Sequence, residues 1–173
     1  INTVDNELLA LRDKANLALG FAWLQAGDAA AATPYLERVR LTGPQSSRAL
    51  LALGWARAQE GKFQEALTPW LELRDRNLLD AAVQESYLAV PYAFAKLGAN
   101  GQAAEYYEQA LASFDTEQAR IDESVGRIRS GALLQNLLGD DLASAPQRGW
   151  FWQLQELPDA PESRYLFPIL AGN

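Results

Sequence analysis

The chain has 173 residues, of which 49% are hydrophobic and 21% charged, a balance typical of one globular domain rather than a disordered segment. Its net charge of −7 disfavours nucleic acid and anionic membrane surfaces as partners, because both are bound mainly through clustered lysine and arginine. The sequence contains no cysteine and no histidine, which excludes thiolate nucleophiles, Ser-His-Asp triads, disulfides and the usual zinc and haem sites.

Helices are predicted along the whole chain, because apolar residues recur at spacings of three and four among many alanines, leucines, glutamines and glutamates. No apolar run approaches the roughly 18 residues that a membrane-spanning helix needs, so direct membrane insertion is not expected. The strongest turn signals are Gly27-Asp28, Thr42-Gly43-Pro44, Glu60-Gly61-Lys62 and Gly98 to Gly101. They divide the chain into helices of about 12 to 15 residues joined by short turns.

Small residues repeat along the chain. One stretch starts at Leu19 and reads LGFAWLQAGDAAAATPYL. A similar stretch starts 34 residues later, at Leu53, and reads LGWARAQEGKFQEALTPW. Gly20 and Gly54 are predicted to lie in the first helix of each pair and Ala32 and Ala66 in the second, where small side chains let two helices approach closely. The residues predicted to fill the space beside them are Leu19, Leu36, Leu53 and Trp70.

A third copy follows after three extra residues. Its matching residues are Phe94, Gly98, Ala103, Tyr107 and Ala110. Pro91 occupies the position of its first glycine, so the helix over residues 80–97 is predicted to bend there. A further helix is predicted from Thr116 to about Leu138, followed by a loop, the aromatic cluster Trp150-Phe151-Trp152 and a last short helix near the end of the chain.

This pattern resembles the tetratricopeptide repeat (TPR) family. The first copy supplies Leu19, Gly20, Trp23, Gly27, Ala32, Leu36, Val39 and Pro44, and the second supplies Leu53, Gly54, Gly61, Ala66, Trp70 and Leu73. The resemblance implies an all-α, right-handed α-solenoid of antiparallel helix pairs. The implied single domain spans residues 1–173, with repeats at 13–46, 47–83 and 84–117 and capping helices or a further repeat at 118–173. Because Ile1 opens a chain without methionine and its end echoes another repeat, we expect a piece of a longer or processed protein.

In this family the first helices line a concave groove that binds partners. The equivalent residues here are Lys14, Leu17, Phe21, Leu24, Gln25, Arg48, Leu51, Trp55, Gln59, Leu88, Tyr92 and Lys96. Phe21, Trp55 and Tyr92 are predicted to form an aromatic ladder along the groove. The resemblance therefore implies a non-catalytic scaffold or adaptor for a partner peptide or helix, with no cofactor and no metal. The residues of the family's carboxylate clamp for chaperone tails are missing, so such tails are disfavoured.

Two alternatives stay open at this point. The ladder could be covered by the chain itself, or the protein could be a structural self-association or docking module, with the C-terminal aromatic segment as the contact. Carboxylate pairs such as Asp122-Glu123 and Asp140-Asp141 are interpreted as solvated surface acids rather than catalytic groups. Family members that scaffold envelope complexes favour a bacterial periplasmic location over a cytoplasmic one.

Overall fold

A computed structural model describes residues 3–131 of the chain, with side chains from residue 5, and this part contains helices and turns but no strand. The helices are α1 (Thr3–Gln25), α2 (Ala29–Leu36), α3 (Ser46–Gln59), α4 (Phe63–Arg74), α5 (Ala81–Lys96) and α6 (Asn100–Arg129). The prediction of an all-α fold is confirmed. The chain divides into two compact units, Ile1–Ala110 and Leu111–Asn173, which are described separately. The predicted single domain and the repeat boundaries stay predictions.

Three glycines end helices in the same way. Gly27, Gly61 and Gly98 have φ of 80°, 75° and 75°, a left-handed conformation that glycine adopts without a Cβ penalty. At each glycine, the N–H of the next residue donates to a carbonyl five residues back, as Asp28 does to Trp23 at 3.0 Å. This is the Schellman arrangement, which satisfies the last carbonyls of a helix. The predicted turns at these glycines are confirmed.

The first unit is a stack of helical hairpins. α1 packs against α2, α3 against α4, α2 against α3 and α4 against α5, while α1, α3 and α5 also contact one another in sequence. The odd-numbered helices therefore form one layer and α2 and α4 the other. One core cluster joins α1, α2 and α3, and a second joins α3, α4 and α5.

Each of the first two hairpins closes on a glycine. A Cβ built on Gly20 would overlap the side chain of Leu36, and one built on Gly54 would overlap the indole of Trp70. Leu36 and Trp70 are 1% and 0% exposed, so each fills the notch that its glycine leaves empty. The predicted role of the repeated glycines is confirmed.

The prediction for Leu19 is wrong. Leu19 is 46% exposed, although it was expected to fill space inside the first hairpin. Its counterpart Leu53 packs against the core cluster of α1, α2 and α3, because α2 precedes it in the stack. No helix of the described residues covers that side of α1 in the same way, so Leu19 stays in solvent.

The third hairpin closes differently. Pro91 is buried, α5 continues through it without interruption, and Tyr107 is 41% exposed, although it stands where Leu36 and Trp70 are buried in the first two copies. The neighbouring Tyr106 stacks instead on Phe94, with ring centroids 5.1 Å apart. Pro91 stands at the position where the first two copies have a glycine, and Tyr107, unlike Leu36 and Trp70, is not buried.

A new helix was predicted from Thr116, and that prediction is wrong because α6 runs unbroken through Asp115 and Thr116. The sequence contains no glycine or proline between Gly101 and Gly126, and it is rich in alanine, glutamate and glutamine, so nothing stops the helix. Likewise α1 begins at Thr3, ten positions before the first predicted repeat. The helix end near Leu138, the segment Trp150-Phe151-Trp152 and the last short helix lie outside the described residues.

Candidate partner-binding face

The layer of odd-numbered helices presents one side of α5 to solvent. Glu85, Leu88, Tyr92 and Lys96 follow one another at spacings of three and four, which places them on one helix face. Leu88 is 52% exposed, and Tyr92 is half-buried. The Lys96 ammonium lies 5.4 Å from the centre of the Tyr92 ring, a cation–π distance. This face therefore combines an exposed apolar side chain, a ring and a cation.

Trp55 of α3 lies beside this face and is held in place from three sides. Its ring centroid is 6.0 Å from that of Tyr92, and it meets the buried Trp70 edge to face at 4.9 Å. Its indole N–H donates to a carboxylate oxygen of Glu85 at 2.8 Å. Two of the three residues of the predicted ladder are thus brought together, and their orientation is fixed by side chains from both neighbouring helices.

Phe63 completes this group and was missed by the sequence reasoning. It is the first residue of α4, and its ring lies 5.9 Å from Tyr92 at an angle of 75°. Trp55, Phe63 and Tyr92 are hereafter the aromatic cluster. The prediction looked only at first helices of each pair, and the aromatic residue directly after the Gly61-Lys62 turn was the signal that could have found it.

Phe21 lies on α1, one hairpin earlier. It is half-buried against the core cluster of α1, α2 and α3. The guanidinium of Arg48 lies 5.8 Å from its ring centre. The side chain of Gln59 donates to the Leu24 carbonyl at 3.4 Å, which links the ends of α3 and α1.

The remaining predicted residues separate by exposure. Leu17, Leu24 and Leu51 are no more than 8% exposed and belong to the cores, so they support the face without reaching solvent. Lys14, Gln25, Arg48 and Gln59 are exposed, like Leu88 and Lys96. The surface formed by the exposed and half-buried residues of the predicted set is hereafter the inner face. It carries Lys14, Arg48 and Lys96, and no member of the predicted set is acidic.

A second apolar surface lies on α1 itself. Leu8, Leu11, Leu19 and Trp23 are between 40% and 64% exposed, at intervals that place them along one side of the helix. Leu19 and Trp23 correspond, one repeat later, to Leu53 and Arg57. Those counterparts face α2, whereas the stripe on α1 faces solvent.

Two buried polar contacts fasten the hairpins to their loops. The carboxylate of Asp13 is fully buried and pairs with the Arg40 guanidinium at 2.6 Å, which ties α1 to the loop after α2. Arg76 donates to the hydroxyl of Ser46 at 2.7 Å and so ties the loop after α4 to the start of α3. Neither contact was predicted, because each joins residues about 30 positions apart.

The described residues form neither a metal site nor a membrane-spanning helix. Between residues 5 and 131, no three carboxylates come together in a way that could hold a metal ion. None of the helices in that part of the chain is long and apolar enough to cross a membrane.

The fold is similar to that of a solved structure, the TPR domain of Arabidopsis FLU. The TM-score is 0.55 and the sequence identity 21%, and the match covers 62% of this chain and 98% of that domain. No protein-family model matches the sequence, and no curated protein matches it. The similarity therefore shows a TPR-like, helical solenoid-like fold, in agreement with the fold that the resemblance implied, and the number of repeats stays a prediction.

Proposed function

We propose that this TPR-like fold serves as a non-catalytic scaffold that binds a partner protein through the inner face of α1, α3 and α5. A fold of this kind suggests a protein–protein interaction scaffold. The observation that carries the proposal is the aromatic cluster beside an exposed leucine. Aromatic side chains are common binding anchors, and rings that are already fixed lose little conformational entropy when a partner arrives.

The charges of the inner face indicate the chemistry of the partner. Lys96 lies over the ring of Tyr92, and Arg48 lies over the ring of Phe21. Each of these half-buried rings therefore has a cation beside it. Glu85, the acid beside them, already accepts the Trp55 indole N–H. A peptide or helix with an apolar side chain for the space beside Leu88 and with aspartate or glutamate near it fits this arrangement.

A photocrosslinking experiment tests the proposal. Leu88 is replaced by a photoreactive phenylalanine analogue, and the irradiated native extract is analysed by mass spectrometry. The control carries the same analogue at Leu111, which is also 64% exposed and lies on α6, outside the surfaces described above. We expect a crosslinked partner from position 88 that is absent from the control and that is lost when Lys96→Glu is added. Identical products from both positions, or products that ignore Lys96→Glu, would contradict the proposal.

The location of the partner is a narrower proposal. The family resemblance favours assembly of a bacterial envelope complex in the periplasm, and the net charge of −7 offers no competing nucleic-acid role. The same crosslinking experiment tests it, because it predicts that the captured partner carries a secretion signal or a lipid anchor. A cytoplasmic partner would refute the envelope role and leave the binding face intact.

A second candidate function, self-association, is favoured by the apolar stripe of Leu8, Leu11, Leu19 and Trp23 on α1. Soluble monomers rarely expose several large apolar side chains in a row. A second copy could cover the stripe by packing its own α1 against it. Light scattering of the wild type and of Leu11→Ser/Leu19→Ser tests this: we expect a dimer that the double variant converts to a monomer, and a wild-type monomer at all concentrations would exclude it.

A further inference from the structure

A groove runs along α4 in the layer opposite the inner face. It has a volume of about 910 Å³, and eleven residues line it, among them Leu41, Leu53, Arg57, Leu71, Glu72 and Asp75. These residues come from the end of α2, the following loop, α3 and α4. None of them belongs to the inner face, so the two surfaces can be altered separately.

The floor of this groove is apolar. Leu50 is buried, and Leu53 and Leu71 are half-buried, so their side chains reach the groove from within the core. Leu41, at the edge, is 64% exposed and continues this apolar floor toward solvent. An apolar floor with an exposed leucine at its edge is typical of grooves that receive aliphatic side chains.

The rim of the groove is acidic. Glu37 and Glu65 lie 3.3 Å and 3.6 Å from the Arg57 guanidinium, the one cation in the lining. Glu72 is 61% exposed and its contact with Arg76, at 3.6 Å, is a surface ion pair. Asp75 follows the last residue of α4 and pairs with no cation of the described residues, so the negative end of that helix adds to its charge.

We infer that this groove is a second docking site, which takes a basic amphipathic segment of a partner protein. Lysine or arginine side chains would meet Glu72 and Asp75 at the rim while aliphatic side chains lie on the leucine floor. The α4 wall from Glu65 to Asp75 spans roughly 15 Å at 1.5 Å per residue, which matches about three turns of a helix. Because the rim is acidic, charge complementarity favours a basic segment over an acidic one.

The end of the given sequence does not supply such a segment. Residues 132–173 contain five acidic residues and two arginines, and the whole chain has a net charge of −7. The end of the chain therefore carries the same sign of charge as the rim. A second copy offers no single basic helix to it among the described residues, because the exposed cations of its inner face, Lys14, Arg48 and Lys96, lie on three different helices. We therefore assign the basic segment to a partner protein.

The test uses the full chain and a fluorescent, helix-forming peptide of leucine, alanine and lysine, with leucine and lysine on opposite faces. Control peptides replace every lysine by glutamate or every leucine by serine. Binding is measured by fluorescence anisotropy, and amide chemical shifts map the contact. We expect the lysine peptide alone to bind, to shift residues around Leu41, Leu53 and Leu71, and to lose affinity as salt is raised.

Variants of the protein make the test specific. Glu72→Lys/Asp75→Lys should weaken binding about tenfold, since reversing two rim charges replaces attraction by repulsion. Glu7→Lys/Glu108→Lys makes the same change of charge outside the groove and should have less than about twofold effect. Leu41→Ser should also weaken binding, and circular dichroism confirms that each variant is folded. Equal loss in both double variants, no loss in the first, or shifts confined to the inner face would overturn the inference.

The outcome is separable from that of the proposed function. Leu88→Asp, on the inner face, should leave binding of the lysine peptide unchanged. Loss of peptide binding in Leu88→Asp would mean that the peptide occupies the inner face, which would refute the second site. A failed groove experiment, in turn, leaves the crosslinking result at position 88 untouched.

Discussion

The replacement of Gly54 by alanine tests the close approach of the second hairpin. Gly54 and Trp70 face each other between α3 and α4, and a Cβ at position 54 would overlap three atoms of the indole ring. The ring cannot move away easily, because it is fully buried, donates its N–H to the Leu51 carbonyl at 3.2 Å and meets Trp55 edge to face. Alanine at position 54 must therefore separate the two helices or displace the ring.

The cost can be worked out from these contacts. Overpacking of this kind typically costs about 1–3 kcal/mol. A displaced ring that loses its bond to Leu51 leaves a buried donor unsatisfied, at about 1–3 kcal/mol. Alanine returns up to about 1 kcal/mol of helix propensity. The free energy of unfolding should fall by about 3 kcal/mol, which for a chain of this size lowers the melting temperature by about 6–12 °C.

Urea denaturation, followed by circular dichroism at 222 nm and by tryptophan fluorescence, measures the change. Gly101→Ala is the matched control, since nothing lies within 4 Å of a Cβ at that position of α6, and it should be neutral or slightly stabilising. Gly20→Ala should cost less than Gly54→Ala, because the flexible end of Leu36 can turn away more easily than an indole. If Gly54→Ala is as stable as the wild type while Gly101→Ala behaves as expected, the close packing of α3 and α4 is refuted.

Three further changes have defined outcomes. Asp13→Ala removes the buried partner of a part-buried ion pair and should lower the free energy of unfolding by about 1.5–3 kcal/mol, because the Arg40 side chain that stays behind is 29% exposed. An unchanged free energy of unfolding would show that this contact does not form in solution. Arg74→Leu removes a guanidinium whose centre lies 4.3 Å from the ring centre of Tyr87 and 4.6 Å from that of Tyr106. The free energy of unfolding in urea should fall by about 1–2 kcal/mol, and an unchanged midpoint would contradict the two cation–π contacts. Gly61→Ala places a side chain at a φ of 75° and should cost about 1–2 kcal/mol, whereas a stability equal to that of the wild type would show that the turn relaxes.

Much of the first unit could be predicted from local signals. Helix ends at Gly27, Gly61 and Gly98 depend on a backbone conformation that favours glycine, and each is visible in a short stretch of sequence. The notches at Gly20 and Gly54 were visible because a repeat shows the same small residue twice. Local chemistry and repetition thus account for the hairpins and for the side of each helix that packs.

The features that were missed depend on what stands next to each hairpin. Leu19 and Leu53 begin the same Leu-Gly motif, but Leu19 lacks the preceding helix that covers Leu53. Phe63 joins the aromatic cluster from a second helix, and Arg57 finds Glu37 from 20 positions away. The spacing of apolar residues predicts which face of a helix is apolar, but it does not predict which neighbouring helix covers that face.

The fit between Gly54 and Trp70 also constrains how descendants of this sequence can change. Enlarging position 54 first creates an overlap with the ring, whereas shrinking Trp70 first leaves a void, and either single step lowers stability. A descendant with both changes avoids the overlap, so the two positions should vary together and seldom alone. In the first hairpin Gly20 faces Leu36, whose flexible side chain can move aside, so single substitutions there should be better tolerated. Among relatives of this protein, we therefore expect coupled substitution at 54 and 70 and looser variation at 20 and 36.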